Sequence, residues 1–170
     1  MSLPARAARM IYLNKTCFND LYRVNSKGKY NVPFGRYKNP TICDEPNLRN
    51  VSKALRGVVI ECELFEFVVH VAKSGDLVYF DPPYIPVSET ADFTSYTDCR
   101  FDMADQERLA FIFDKLVDRG VQVLLSNADV PWIHERYAGH QIHRVQVKRS
   151  INSKASKRGA VGEVIIKGVK

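Results

Sequence analysis

The spacing of apolar residues changes character along this chain. Residues 4 to about 17 fit a helical repeat, with Met10, Leu13, Cys17 and the aromatic Tyr12 near one side, and residues 47 to 56 predict a second helix closed by Gly57. Between them lies a segment rich in Gly, Pro and Asn. Within it Tyr22-Arg23-Val24-Asn25 and Lys29-Tyr30-Asn31-Val32 flank Ser26-Lys27-Gly28, the pattern of a hairpin with a short glycine turn. After Gly57 the runs become shorter and more apolar. Val58-Val59-Ile60 reads as a buried strand, residues 64 to 71 as helix, and Leu77-Val78-Tyr79-Phe80 as another buried strand. Asp102, with Asp105 three residues later, opens a helix whose apolar face is Leu109, Ile112, Phe113, Leu116 and Val117, and Gly120 stops it. Residues 121 to 125 form the next strand and end in Ser126-Asn127. Pro131-Trp132-Ile133 begins a short helix, and 142 to 147 with 161 to 166 predict two closing strands.

From residue 58 onward strands and helices alternate, the pattern of an α/β sheet covered on its faces. Residues 1–56 stand apart as a small helix and hairpin module beside the 57–170 domain. The whole chain of 170 residues is long enough to bury a core, and 45% hydrophobic with 26% charged residues is ordinary globular composition. No apolar run approaches a membrane span, and the first residues are too polar for a secretory signal. Cys17, Cys43, Cys62 and Cys99 lie far apart without a Cys-x-x-Cys pair, which predicts reduced thiols in a cytoplasmic protein. The four histidines offer no metal-ligand spacing except His140-x-x-His143, which alternation puts on opposite faces of a strand, so no metal is expected.

Chemistry concentrates at Asp81-Pro82-Pro83-Tyr84, directly after the Leu77-to-Phe80 run. Open α/β sheets hold their ligands at the carboxyl ends of strands. An exocyclic amine on an aromatic base is a poor nucleophile, because its lone pair is delocalised into the ring. A catalyst gains by accepting hydrogen bonds from both of its N–H groups. Asp81 can take one and the Pro82 carbonyl the other. The two prolines fix φ and lack N–H groups, which keeps that carbonyl out of a helix. Tyr84 adds a ring for stacking, as pockets for flipped bases do. A strand ending in an acidic Pro-Pro loop is the plainer alternative, and it leaves the aromatic unexplained.

The net charge of +6 favours a polyanionic partner. Its distribution says more. Arg23, Lys27, Lys29, Arg36 and Lys38 gather in one loop region and Lys148, Arg149, Lys154, Lys157 and Arg158 in another, so two basic loops flank the candidate base site.

These residues carry a family likeness. Asp81-Pro82-Pro83-Tyr84, with the run from Tyr12 to Asn19, Asn31-Val32-Pro33-Phe34-Gly35-Arg36-Tyr37-Lys38, Leu125-Ser126-Asn127 and Lys148-Arg149-Ser150-Ile151, resembles the Dam-type AdoMet-dependent DNA adenine methyltransferases over nearly the whole chain. The tetrapeptide alone is shared with several amino-methylating enzymes; the hairpin run makes the likeness specific. The resemblance implies a Rossmann-like methyltransferase sheet that transfers a methyl group from S-adenosyl-L-methionine to the N6 amine of an adenine flipped out of duplex DNA. It implies that Asp81 and the Pro82 carbonyl hold the amine, that Tyr84 stacks on the base, and that Pro83 completes the catalytic loop. Asp81 also borders the cofactor, as do the positions of Leu64 and Phe65. Phe18 stands where a relative wedges an aromatic beside the extruded base, while Asn19, Leu21, Arg23 and Pro33 match positions facing base edges or phosphates, and Lys157 and Arg158 reach phosphates. Arg suits guanine, and Leu and Pro suit a thymine methyl, which implies a GATC-like site.

Two departures from the family pattern stand out. Asp20 occupies a position where relatives usually carry glycine. The nine glycines include no Gly-x-Gly turn after a strand, so the cofactor-binding region that opens a complete enzyme is expected to be missing, and with it the central strands of the sheet. The expected whole is therefore a methyltransferase seen as a truncated chain, of the kind that also serves restriction-modification. The alternative is a catalytically inactive DNA-binding remnant or one half of a split enzyme, with a separate chain supplying the cofactor region.

Overall fold

The computed structural model describes residues 1–25, 27–86, 101–148 and 160–170. The chain divides into two compact units, one spanning Met1–Cys62 and the other running from Glu63 to Lys170.

The first unit opens with helix α1, Leu3–Thr16, which has proline in its first turn, where a missing N–H costs nothing. A 3-10 turn, Phe18–Asp20, follows, and in it Asn19 and Asp20 both take positive φ, 55° and 52°. The expected hairpin forms around a single bridge between Val24 and Tyr30. Its backbone bonds run from the Asn25 amide to the Lys29 carbonyl (2.8 Å) and from the Asn31 amide to the Arg23 carbonyl (3.1 Å). A second bridge, Cys17 to Phe34, ties the end of α1 to the chain leaving the hairpin, where the Phe18 amide donates to the Pro33 carbonyl at 2.9 Å. Burial here is slight and local. Thr16 and Cys17 are enclosed, and the Tyr30 hydroxyl reaches the Leu21 carbonyl at 3.0 Å. That enclosure, with the neighbouring Cys17, pushes the Tyr30 phenol up to about 12. Helix α2, Glu45–Ala54, is capped by Asp44, which accepts from the Asn47 amide at 3.1 Å. None of its residues is buried.

Val58, Val59 and Ile60 are the clearest correction to the sequence pattern. They form no strand, and they are 52%, 79% and 74% exposed. An apolar run becomes a strand only when a neighbour satisfies its backbone, and among the described residues none pairs with these three.

The second unit holds the core. A 3-10 turn, Phe65–Phe67, leads into a single helical turn α3, Val68–Val71, so the helix expected over 64 to 71 is present in shortened form. Then follow β1 (Leu77–Phe80), α4 (Met103–Asp118), β2 (Gln122–Ala128), α5 (Pro131–Arg136), β3 (Gln141–Lys148) and β4 (Ala160–Lys167). The sheet order is β1-β2-β4-β3. β1 and β2 are parallel, with Phe80 beside Leu125, whereas β4 runs antiparallel to both β2 and β3. This is a mixed α/β sheet of four strands among the described residues.

The α4 helix forms where the sequence places it. Asp102 accepts from the Asp105 amide (3.1 Å) while Asp105 accepts from the Asp102 amide (2.9 Å), a reciprocal capping box. Its Leu109, Ile112, Phe113, Leu116 and Val117 are all buried, together with Val123 and Leu125 of β2 and Val164 and Ile166 of β4. Gly120, at φ +86°, supplies the left-handed residue that ends it. The expectation of a fully buried strand at Leu77 to Phe80 needs amendment. Phe80 is buried, yet Leu77 and Tyr79 are 63% and 56% exposed, because strand side chains alternate between faces and only Val78 and Phe80 face the core. Ser126 and Asn127, expected just past a strand, lie inside β2. His140 sits before β3 and bonds Asp114 at 3.0 Å.

Candidate active site

Asp81 leaves the carboxyl end of β1 beside Ser126 of β2, because the two strands are parallel and pair Phe80 with Leu125. There Ser126 donates its hydroxyl to Asp81 Oδ1 at 2.7 Å and accepts from the Tyr79 hydroxyl at 2.9 Å. A serine hydroxyl has one proton to give, and the 3.5 Å separation from the Phe80 carbonyl is the weaker claim on it. The arrangement fixes one carboxylate oxygen. Among the described residues nothing bonds Asp81 Oδ2 or the Pro82 carbonyl, so two acceptors stand open side by side in the sequence.

Behind these acceptors the loop is clamped. Gln106, on α4, donates Nε2 to the Pro83 carbonyl at 2.9 Å. Asn127, on β2, accepts the Ile85 amide at 3.0 Å and the Ala128 amide at 2.8 Å through Oδ1, and donates Nδ2 to Gln106 Oε1 at 3.2 Å. Tyr84 is half-buried and packs against the core. Burial pushes its phenol upward and a hydrogen bond with Ser126 pulls it down, with Glu163, Asp81 and Tyr79 adding upward pressure, so the hydroxyl stays protonated at neutral pH.

The other expected site residues fall in three places. Phe65 lies in the second unit, half-buried, with its ring 5.8 Å from Phe101 and the Arg108 guanidinium 5.7 Å from its centroid. Leu64 beside it is exposed. Phe18, Asn19, Leu21, Arg23 and Pro33 belong to the first unit, gathered by the Cys17–Phe34 bridge and the hairpin. Of these, Phe18, Arg23 and Pro33 are exposed, and Arg23 is aimed by Asn31, whose side-chain oxygen takes Nε at 2.9 Å and whose carbonyl takes the other nitrogen at 3.2 Å. Lys157 and Arg158 lie outside the described residues.

Tyr79 and Gln106 had no assigned part in the sequence pattern. Tyr79 reads as a strand residue, and only the register of β1 against β2 brings its hydroxyl to Ser126. Gln106 did leave a trace: it lies three residues before Leu109 on the buried face of α4, where a polar side chain needs a partner.

Comparison with known proteins bears on this geometry. The family model of D12 class N6 adenine-specific DNA methyltransferases matches residues 1–151. The chain belongs to that family. It is 52% identical over 154 residues to the type II methyltransferase M.MjaIII of Methanocaldococcus jannaschii, covering 90% of this chain and 53% of that protein. It is 46% identical over 168 residues to the type II methyltransferase M1.LlaDCHI of Lactococcus lactis subsp. cremoris, covering 98% and 59%. With the DNA adenine methylase of Escherichia coli K12 it shares 39% identity over 160 residues, covering 94% and 57%. The chain thus spans between half and three-fifths of the length of these curated relatives. Among the described residues of this D12-class chain, no helix is long and apolar enough to cross a membrane.

Proposed function

We propose that this chain carries the substrate-binding part of a DNA adenine methyltransferase that acts in the cytoplasm on duplex DNA, at a GATC-like site, with S-adenosyl-L-methionine as methyl donor. The observation that carries the reading is the pair of open acceptors, Asp81 Oδ2 and the Pro82 carbonyl, at the carboxyl end of a parallel strand. In this reading an extruded adenine places its amine between them, and Tyr84 supports the base. Accepting both N–H groups draws the nitrogen lone pair out of the ring, which is the electronic change that nucleophilic attack by nitrogen requires. Asp81, held by Ser126, is then the acceptor toward which the amine proton moves.

When bound, S-adenosyl-L-methionine supplies an electrophilic methyl carbon attached to a cationic sulfonium. The residues present fit that group in two respects: the exposed Asp81 carboxylate suits its positive charge, and Phe65 offers ring surface in the same unit. Phe18, Asn19, Leu21, Arg23 and Pro33 make up the proposed base and phosphate contacts of a 1–56 recognition module, aided by exposed Lys27, Lys29, Arg36 and Lys38 and by Lys157 and Arg158 of the 57–170 domain.

A second reading is favoured by the end strand β1. Among the described residues its outer edge is unpaired, which suits a further strand belonging to a cofactor-holding region, in one polypeptide or in a partner chain. Calorimetric titration separates the possibilities. S-adenosyl-L-methionine binding together with tritiated methyl transfer to adenine-containing duplexes supports an active chain. No cofactor binding alongside salt-sensitive duplex binding leaves a DNA-binding remnant or half of a split enzyme. In whichever assembly transfers methyl groups, Asp81→Ala is expected to abolish transfer and leave duplex affinity within about threefold; equal loss of both would overturn the assignment.

A further inference from the structure

Gln106 is 3% exposed and Asn127 fully buried, two amides placed inside an otherwise apolar interface between α4 and β2. Their orientation is forced by the backbone around them. The Ile85 and Ala128 amides can only donate, so the Asn127 atom facing both must be its oxygen. The Asn127 nitrogen then faces Gln106, which must present its own oxygen, leaving the Gln106 nitrogen for the Pro83 carbonyl, which can only accept. Each amide has a single orientation that satisfies every partner. The chain of bonds has a direction: it leaves the loop at the Ile85 amide, passes through Asn127 and Gln106, and returns to the loop at the Pro83 carbonyl, so that it meets the loop on either side of Tyr84.

The consequence falls on the residue before the first clamp. Pro82 and Pro83 lack N–H groups, so the loop cannot fasten itself through backbone donors there. Once the Pro83 carbonyl is turned inward to Gln106, the preceding Pro82 carbonyl is the neighbouring acceptor, and among the described residues it has no partner. Fixed proline φ angles on both sides leave it little freedom to turn away.

Resting on the adenine-amine reading of this loop, we propose that Gln106 is a positioning residue for methyl transfer: through the Pro83 carbonyl and Asn127 it sets the direction of the Pro82 carbonyl that receives the amine. It touches neither base nor donor. Preorganised acceptors of this kind act on the chemical step more than on binding.

Two measurements on the full chain test this, comparing Gln106→Met, which keeps the side-chain volume but loses both amide groups, with Leu109→Ala, a packing variant on the same helix face. The first is amide hydrogen exchange. In Gln106→Met the Ile85 amide should exchange at least tenfold faster while the Leu125 amide, in the middle of the sheet, keeps its wild-type rate; in Leu109→Ala the two should change together. Unchanged Ile85 protection in Gln106→Met, or Ile85 and Leu125 rising in step, would overturn the proposal. The second is steady-state methyl transfer in the active assembly. Gln106→Met should lower kcat at least tenfold with KM for duplex DNA within about twofold. A wild-type kcat, or a loss confined to KM, would overturn the positioning role. Absence of transfer by the wild-type assembly would instead defeat the adenine reading itself, and the exchange data would still decide whether Gln106 holds the loop.

Discussion

Ser126 shows how a single hydroxyl can orient a carboxylate. Its bond to Asp81 Oδ1 takes up one carboxylate oxygen, and in the proposed reading the other is the one that meets the amine. Hydrogen bonds to charged groups contribute about 1.5–3 kcal/mol, so Ser126→Ala should slow methyl transfer roughly ten- to a hundredfold, measured as kcat, with the fold intact by circular dichroism. Asp81 to Tyr84 could be proposed as a site from the sequence because its residues are contiguous in the chain. The hold of Ser126 on Asp81 was not legible there, since it depends on Phe80 standing beside Leu125, a pairing register that no local pattern writes down. Asp20 is the opposite case. Its mismatch with the family's glycine was visible in the sequence, and the structure supplies the physical reason glycine suits the position: φ is +52°, next to Asn19 at +55°. A side chain in the left-handed region costs about 1 kcal/mol or somewhat more. Asp20→Gly should therefore stabilise the first unit by about 0.5–1 kcal/mol, read from the shift of its thermal transition, and a lower transition would refute the strain.

Among the elements, α4 was readable end to end because three independent signals agree on it: the Asp102/Asp105 box, the helical run of apolar residues, and Gly120. Val58, Val59 and Ile60 show the limit of such reading. A short apolar run says only that a segment would pair, and whether a partner is at hand is decided elsewhere in the molecule. The turn from β2 into α5 adds a device of its own. Asp129, following β2, bonds His134 of α5 at 2.5 Å and Arg144 of β3 at 3.0 Å, joining three elements through one carboxylate. The His134 bond, seconded by Arg144, holds the Asp129 carboxyl below the usual carboxylate range. A depressed carboxyl contributes stability that is fully present above its unfolded value, about 3.9, and is lost as the pH falls through the lower folded value. Asp129→Asn should accordingly be less stable than the wild type at pH 7, and the gap should close as the pH drops below about 4. Urea unfolding at both ends of that range measures it, and a gap independent of pH would exclude the ion pairs as its source.

At the scale of the molecule, the division of labour between the units follows from where burial lies. The second unit keeps the proposed catalytic loop against a continuous core, while the first holds the proposed contact residues in a segment with little enclosed. Composition foretold a positive, globular chain, and the strand alternation foretold a sheet, but strand order and the openness of β1 emerged only from the fold. In the proposed reading that edge makes stability depend on what else is in solution. Anything that pairs with β1 binds the folded state alone, and mass action then raises stability with its concentration, by about 2.7 kcal/mol at a hundred times the dissociation constant. The melting temperature of the second unit should climb with added cofactor-region polypeptide and stay level with an unrelated one, as differential scanning fluorimetry would record; a flat response to both would mean that the edge recruits nothing. If β1 recruits such a strand, the robustness of this protein is a property of its company as well as of its sequence.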